Sequence, residues 1–264
     1  MDTASREVFP ERSEPPERFA LGSRAALLLD VDGTLLDIAP GPESVVVPEG
    51  LPDLLSRLCD RLGGALALVS GRSIADLDLL FAPVVLPAAG EHGAEVRSGA
   101  DQPILALAAR PSALGRVFAR MAAAVADVAG VRIETKRTGF AVHYRQAPDR
   151  APLLRRLADD AIVDHAAEVR VQPGKMVLEI KDRGSNKALA VTALMQHPPF
   201  AGRRPLFIGD DATDRDGFAA ARQLGGSCAA VGMENADIAD WCFASPAAVR
   251  AWLLRVVEQA GAGE

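Results

Sequence analysis

Ala25-Ala26-Leu27-Leu28-Leu29-Asp30-Val31-Asp32-Gly33-Thr34-Leu35, residues 25–35, runs from unbroken apolar residues straight into acid. An apolar run with no polar alternation predicts a strand buried on both faces, as in a parallel sheet covered by helices. Side chains two apart on a strand point the same way, so Asp30 and Asp32 face one site, and Gly33 lets the backbone turn sharply. In open parallel sheets, ligands bind in the crevice beyond the carboxyl ends of the strands. Two carboxylates there suit a hard cation such as Mg²⁺. Taken alone, Asp-x-Asp-Gly also reads as a plain acidic turn after a strand.

The same rhythm extends outward. A helix is expected over 51–62, a buried strand over 65–69, and a helix capped by Ser73 and Asp76. Short apolar runs follow at 84–86 and 94–97. Toward the C-terminus, strands are expected at 205–208, 228–231 and 241–243. Thr213 with Asp216 reads as a further helix cap, and Ser245-Pro246 as a helix start. Strands alternating with helices predict an α/β, doubly wound parallel sheet. Residues 101–180 break the pattern, with helices at 112–129 and 152–166 and strands at 131–136, 140–145, 168–172 and 175–180. The turns fall at Thr138-Gly139 and Pro173-Gly174. The order α-β-β-α-β-β predicts an inserted α+β cap within a core made of 23–100 and 181–264. Residues 1–22, rich in charge and proline, read as a flexible N-terminal arm with Phe9 and Phe19 as docking points.

A second acidic cluster, Gly209-Asp210-Asp211-Ala212-Thr213-Asp214, follows another buried strand and would share the same sheet edge. Carboxylates gathered there make sense around a divalent cation. Ser70, at the tip of the second strand, offers a hydroxyl, and Gly71 leaves room for close backbone approach. Lys187 brings positive charge near a helix start. Singly, Ser70 reads as well as a helix-start serine and Lys187 as a surface lysine; the set gives them weight.

These four motifs, in this order, resemble the haloacid dehalogenase superfamily. The resemblance implies that Asp30 attacks phosphorus to form an aspartyl phosphate and that Asp32 acts as acid and then base. It implies a Mg²⁺ cofactor held by Asp30, the backbone carbonyl of Asp32 and Asp210, with Asp211 and Asp214 supporting. Ser70 and Lys187 would stabilise the transferring phosphoryl group.

Within that superfamily the chain is similar to the trehalose-6-phosphate phosphatases. The marks are Gly90-Glu91-His92-Gly93-Ala94-Glu95, Ile133-Glu134-Thr135-Lys136, Ala141-Val142-His143-Tyr144-Arg145 and Gly174-Lys175-Met176-Val177-Leu178-Glu179. By strand alternation Glu134 and Lys136 share a cap face, as do His143 and Arg145, and Lys175 and Glu179; Met176, Leu178 and Ile180 would point to the cap core. Carboxylates beside lysines offer a sugar both acceptors and donors, although surface ion pairs give the same pattern. His92 reads equally as a ligand contact or a structural histidine, and Arg72 as a loop-orienting or ligand-touching residue. Arg215 stands where the family has an acidic residue, and Ala188 where glycine is common. The implied reaction is hydrolysis of trehalose 6-phosphate, the last step of trehalose biosynthesis. Alternatives are another sugar phosphate, such as sucrose phosphate or a glucosylated phosphoglycerate, or a non-catalytic sugar-phosphate sensor.

The totals fit. Of 264 residues, 49% are hydrophobic and 24% charged, an ordinary globular balance. A net charge of −6 with scattered basic residues argues against a nucleic-acid partner. The partner expected is a small-molecule sugar phosphate. Cys59, Cys228 and Cys242 form no CxxC pair, and no apolar run is long enough for a signal peptide or membrane span. A cytoplasmic protein with no membrane partner is expected. The oligomeric state is undetermined, with a monomer favoured.

Overall fold

The structure, a computed structural model, describes residues 14–15, 24–39, 44–174 and 176–259. It forms two compact units. The first comprises the described residues up to Ile104 and from Asn186 onward; the second is Leu105–Ser185.

Along the chain, β1 (Ala25–Leu29) is buried at every position, as its unbroken apolar sequence requires. Then come α1 (Leu51–Arg61), β2 (Leu66–Val69), α2 (Ile74–Leu80), β3 (Ala88–Gly90) and β4 (Glu95–Arg97). The second unit contains α3 (Leu114–Val125), β5 (Arg132–Thr135), β6 (Gly139–His143), α4 (Ala151–Ile162), β7 (Val169–Gly174) and β8 (Val177–Asp182). The chain returns to the first unit with α5 (Lys187–Met195), β9 (Arg204–Gly209), α6 (Asp214–Gln223), β10 (Ser227–Val231), β11 (Trp241–Phe243) and α7 (Pro246–Gln259).

In the first unit the strands order as β11-β10-β9-β1-β2-β3-β4, parallel except for β4 against β3. The strand order reverses between β1 and β9, and their register pairs Leu29 with Ile208. Asp30 and Asp210 therefore leave neighbouring strands at the same carboxyl edge, at a topological switch point. Helix α2 starts as its sequence directs. The Ser73 hydroxyl accepts from Asp76 N (3.0 Å) and donates to Asp76 Oδ2 (2.6 Å).

The short apolar run 84–86 does not join the sheet: Pro83 and Pro87 flank it and supply no N–H to a ladder, and the strand begins at Ala88. Nor does Thr213 cap α6 with its side chain. Its N–H and hydroxyl both donate to Asp211 Oδ1, at 2.8 and 2.7 Å. Of the N-terminal arm, Glu14 and Pro15 are described, and both are tied to α7. Trp252 Nε1 donates to the Pro15 carbonyl at 2.6 Å, and Arg255 pairs with Glu14. Phe9 and Phe19 lie outside the described residues.

In the second unit an antiparallel sheet, ordered β5-β6-β8-β7, has one face packed on α3 and α4. Leu114, Val117, Met121, Phe140, Val142, Leu154, Leu178 and Ile180 form its core, with Phe118 edge-on to Phe140. The β7–β8 hairpin turns later than Pro173-Gly174 suggests. Gly174 pairs with Val177, so the strand pairing runs through Pro173-Gly174. Met176, at φ 62° and 42% exposed, therefore sits outside the alternation and does not reach the core.

Candidate active site

At the β1/β9 edge, one ammonium bridges two of three buried carboxylates. Lys187, the first residue of α5, donates to Asp30 Oδ1 at 2.7 Å and to Asp214 Oδ1 at 2.5 Å. Asn186 caps that helix by accepting from Leu189 N at 2.9 Å, which fixes where Lys187 begins its turn. The other Asp214 oxygen accepts from the backbone N–H groups of Asp210 and Asp211, at 2.9 and 3.0 Å. Thr34 donates to Asp210 Oδ1 at 3.3 Å. Gly33 is required here. At φ +91°, a Cβ would lie 2.2 Å from Asp210 Oδ2.

Electrostatics follow from burial. Desolvation, with three neighbouring aspartates adding to it, outweighs Lys187 and raises the Asp30 carboxyl well above its ordinary value. Burial likewise brings Asp214 to about 7. The ammonium of Lys187 is opposed by burial, but Asp214 and then Asp30 hold it well above its usual range. Asp211 is opposed by burial too, yet Lys187 and the Thr213 hydrogen bonds lower it.

One oxygen each from Asp30, Asp210 and Asp214 can be drawn within 4.8 Å of one another. Hard oxygen donors in a buried set whose negative charge one lysine does not offset fit a divalent metal ion. The Asp211 carboxylate, expected as a supporting group, is outside this cluster, and so is the Asp32 carboxylate, whose residue was expected to offer the metal its backbone carbonyl. Asp211 is turned onto its own loop at Thr213. Asp32 is held by Arg72, whose Nε donates to Oδ2 at 2.7 Å and whose Nη2 donates to Oδ1 at 2.8 Å.

Arg72 belongs to two interlocked loops. Its N–H donates to Ser70 Oγ (3.1 Å), and its carbonyl accepts from Glu91 N (2.8 Å). The Ser70 carbonyl accepts from His92 N at 2.9 Å. Glu91, His92 and Gly93 all have positive φ, at 47°, 54° and 92°. The buried His92 ring lies over Gly71, where a Cβ would come 2.5 Å from Nε2. His92 thus packs as a wedge between the loops.

In the second unit, Glu134, Ala141, Glu179 and Gln172 lie in one cross-strand row, on the sheet face away from the helices. An ion pair and a histidine–carboxylate hydrogen bond occupy that face. Lys136 Nζ donates to Glu179 Oε1 at 2.7 Å, and His143 Nε2 lies 2.8 Å from Glu134 Oε2. The His143 hydrogen bond, outweighing burial, lowers the Glu134 carboxyl. Arg145 follows β6 and is exposed. Lys175 lies outside the described residues.

A family profile described as trehalose-phosphatase matches residues 28–239. The chain belongs to the trehalose-phosphatase family. It is 41% identical over 243 residues to trehalose-6-phosphate phosphatase of Escherichia coli K12, across 91% of this chain and 88% of that protein. Among solved structures, the C-terminal domain of Candida albicans trehalose-6-phosphate phosphatase superposes with a TM-score of 0.80 at 22% identity. It covers 94% of this chain and 98% of its own. A haloacid dehalogenase-like hydrolase from Bacteroides thetaiotaomicron superposes at 0.66 with 16% identity, covering 88% and 99%. The core has the haloacid dehalogenase-like fold.

Three supporting groups of this trehalose-phosphatase site escape a reading of the sequence. Asn235, fully buried, donates from Nδ2 to the Asp211 carbonyl at 2.6 Å and accepts from Arg215 Nε at 2.9 Å. Arg215, the departure from the family pattern, also donates to the Glu234 carbonyl and to Asp237, both at 3.2 Å, so it fastens this loop. Glu95 accepts from Ile74 N at 2.6 Å. The sequence marks Glu95, inside the Gly90–Glu95 motif, and Arg215, as a departure from the family pattern, but neither mark gives the contact made. Nothing local marks a residue 24 positions from its partner, as Asn235 is.

Proposed function

We propose that this trehalose-phosphatase hydrolyses trehalose 6-phosphate to trehalose and phosphate, with Asp30 as nucleophile and Mg²⁺ as the metal. The observation that carries the reading is Lys187 bridging Asp30 and Asp214 beside Asp210, at the carboxyl edge of two adjacent parallel strands. Asp30, Asp210 and Asp214 would hold Mg²⁺. When bound, it supplies positive charge beside the phosphoryl oxygens and offsets the carboxylate repulsion.

In the first step a carboxylate oxygen of Asp30 bonds to phosphorus as the bond from phosphorus to the sugar 6-oxygen breaks. Asp32 gives that oxygen its proton, and trehalose leaves as the alcohol. In the second step water attacks phosphorus, Asp32 takes its proton, and the bond to Asp30 breaks to release phosphate. Lys187 orients the Asp30 carboxylate and offsets its charge, while Ser70 and the Gly71 backbone contact the phosphoryl group. Glu134, Lys136, Arg145, Lys175 and Glu179 serve the sugar hydroxyls, with His143 beside Glu134 on the same sheet face. Its three cysteines are free thiols, which fits a reducing cytoplasm. Among the described residues no helix is long and apolar enough to cross a membrane.

Phosphate release from trehalose 6-phosphate, beside sucrose 6-phosphate and glucose 6-phosphate, tests the reading with Mg²⁺ and with chelator. Release confined to trehalose 6-phosphate, lost with chelator and abolished in a folded Asp30→Asn variant, is expected. Faster release from another sugar phosphate would overturn the substrate, and turnover by Asp30→Asn would overturn the covalent route.

A further inference from the structure

Within the second unit, His143 is placed to act on a carboxylate rather than on a ligand. Its Nε2 lies 2.8 Å from Glu134 Oε2, across the β5–β6 pair, and the two side chains are 25% and 36% exposed. The backbone partner of His143 on β5 is Arg132, and that of Glu134 on β6 is Ala141, a residue with no polar group in its side chain. The imidazole therefore reaches Glu134 diagonally, and Glu134 has no polar side chain directly opposite it on β6. One oxygen of Glu134 is engaged by the ring; a carboxylate keeps acceptor capacity on the other.

A glutamate without a side-chain partner keeps three rotatable torsions, and ordering them on binding costs affinity. We propose that His143 is a positioning residue: it fixes the Glu134 carboxylate in the orientation that accepts sugar hydroxyls, and does not itself contact the sugar. This rests on the reading that the polar face of the second unit's sheet serves the sugar.

The test is steady-state kinetics of His143→Ala, His143→Gln, Glu134→Ala and the double variant His143→Ala/Glu134→Ala, with trehalose 6-phosphate and Mg²⁺. His143→Ala is expected to raise KM roughly three- to tenfold, the cost of immobilising one long side chain at binding, with kcat changed less than twofold. His143→Gln keeps an N–H donor near the Nε2 position and should restore KM to within about twofold of the parent chain. In the Glu134→Ala background, removing His143 should add nothing further, because its effect runs through that carboxylate. Two results overturn the inference while leaving the cap-face reading intact. One is a KM effect of Glu134→Ala with none from His143→Ala; the other is additive losses in the double variant, which would make His143 a direct sugar contact. An unchanged KM in Glu134→Ala would overturn the cap-face reading and the inference with it.

Discussion

Arg72 holds both oxygens of Asp32 in a two-bond fork. A proton on one oxygen weakens that oxygen as an acceptor, so the acid role proposed for Asp32 requires this fork to loosen on one side. Arg72 thus governs where the carboxylate plane points, in addition to tying the Ser70 loop to the Glu91 loop. An ammonium cannot reproduce a planar fork. Arg72→Lys is expected to lower kcat roughly ten- to hundredfold, the range for a displaced catalytic group, with a smaller change in KM. Separate determination of the two constants decides it: a loss confined to KM would make Arg72 a substrate ligand instead. Asp30 and Lys187 depend on each other as closely. Removing one member of a buried ion pair commonly costs about 3–5 kcal/mol. Lys187→Ala should therefore lose activity and show a clearly lowered urea midpoint at neutral pH.

Among the elements, β1 and β9 do most to assemble the site, and both were legible. β1 is wholly apolar and β9 is apolar from Pro205 onward, each run leads into acid, and their parallel pairing leaves those acids side by side. The hairpin β7–β8 was harder to read, since Pro173-Gly174 has turn composition yet ends a strand, paired with Leu178 and Val177 across the hairpin. Residues 84–86 were apolar enough for a strand, but the prolines on either side deny it a ladder. Asn235 left no trace because its role is a contact made only after folding. Asp240 belongs with it. Its carboxylate accepts from Cys228 N at 2.9 Å, at the start of β10, and from Arg222 at 2.8 Å, at the end of α6. Burial opposes the charge, but those hydrogen bonds outweigh it and lower the Asp240 carboxyl. A group depressed in the folded state stabilises above its unfolded pKa and loses that contribution as pH falls through the folded one. The stability gap between the parent chain and Asp240→Asn should thus be full at pH 7 and shrink steadily in acid. Urea titrations at several pH values measure it, and a gap independent of pH would remove Asp240 from the account.

At the scale of the molecule, each unit has its own buried core, and the second unit's is closed by Leu154 from α4 and Phe140 from β6. Deleting buried methyl groups there leaves a cavity, at about 2–5 kcal/mol for leucine to alanine. Leu154→Ala should weaken the second unit selectively. In native-state hydrogen exchange, amides of β5–β8 would lose protection while those of β1 and β9 keep theirs; equal loss in both would mean that the chain unfolds as one cooperative body. The run Glu91-His92-Gly93 has a different kind of consequence. Two side-chain-bearing residues are held there in a left-handed backbone that glycine or asparagine would adopt more readily. Laboratory selection for heat resistance rewards relief of such strain. It would be drawn to this loop, and each change that eased the backbone would remove the ring seated over Gly71 or the side chain beside it. Relief of backbone strain and the packing over Gly71 thus pull this loop in opposite directions, and libraries built to harden the protein are best directed elsewhere.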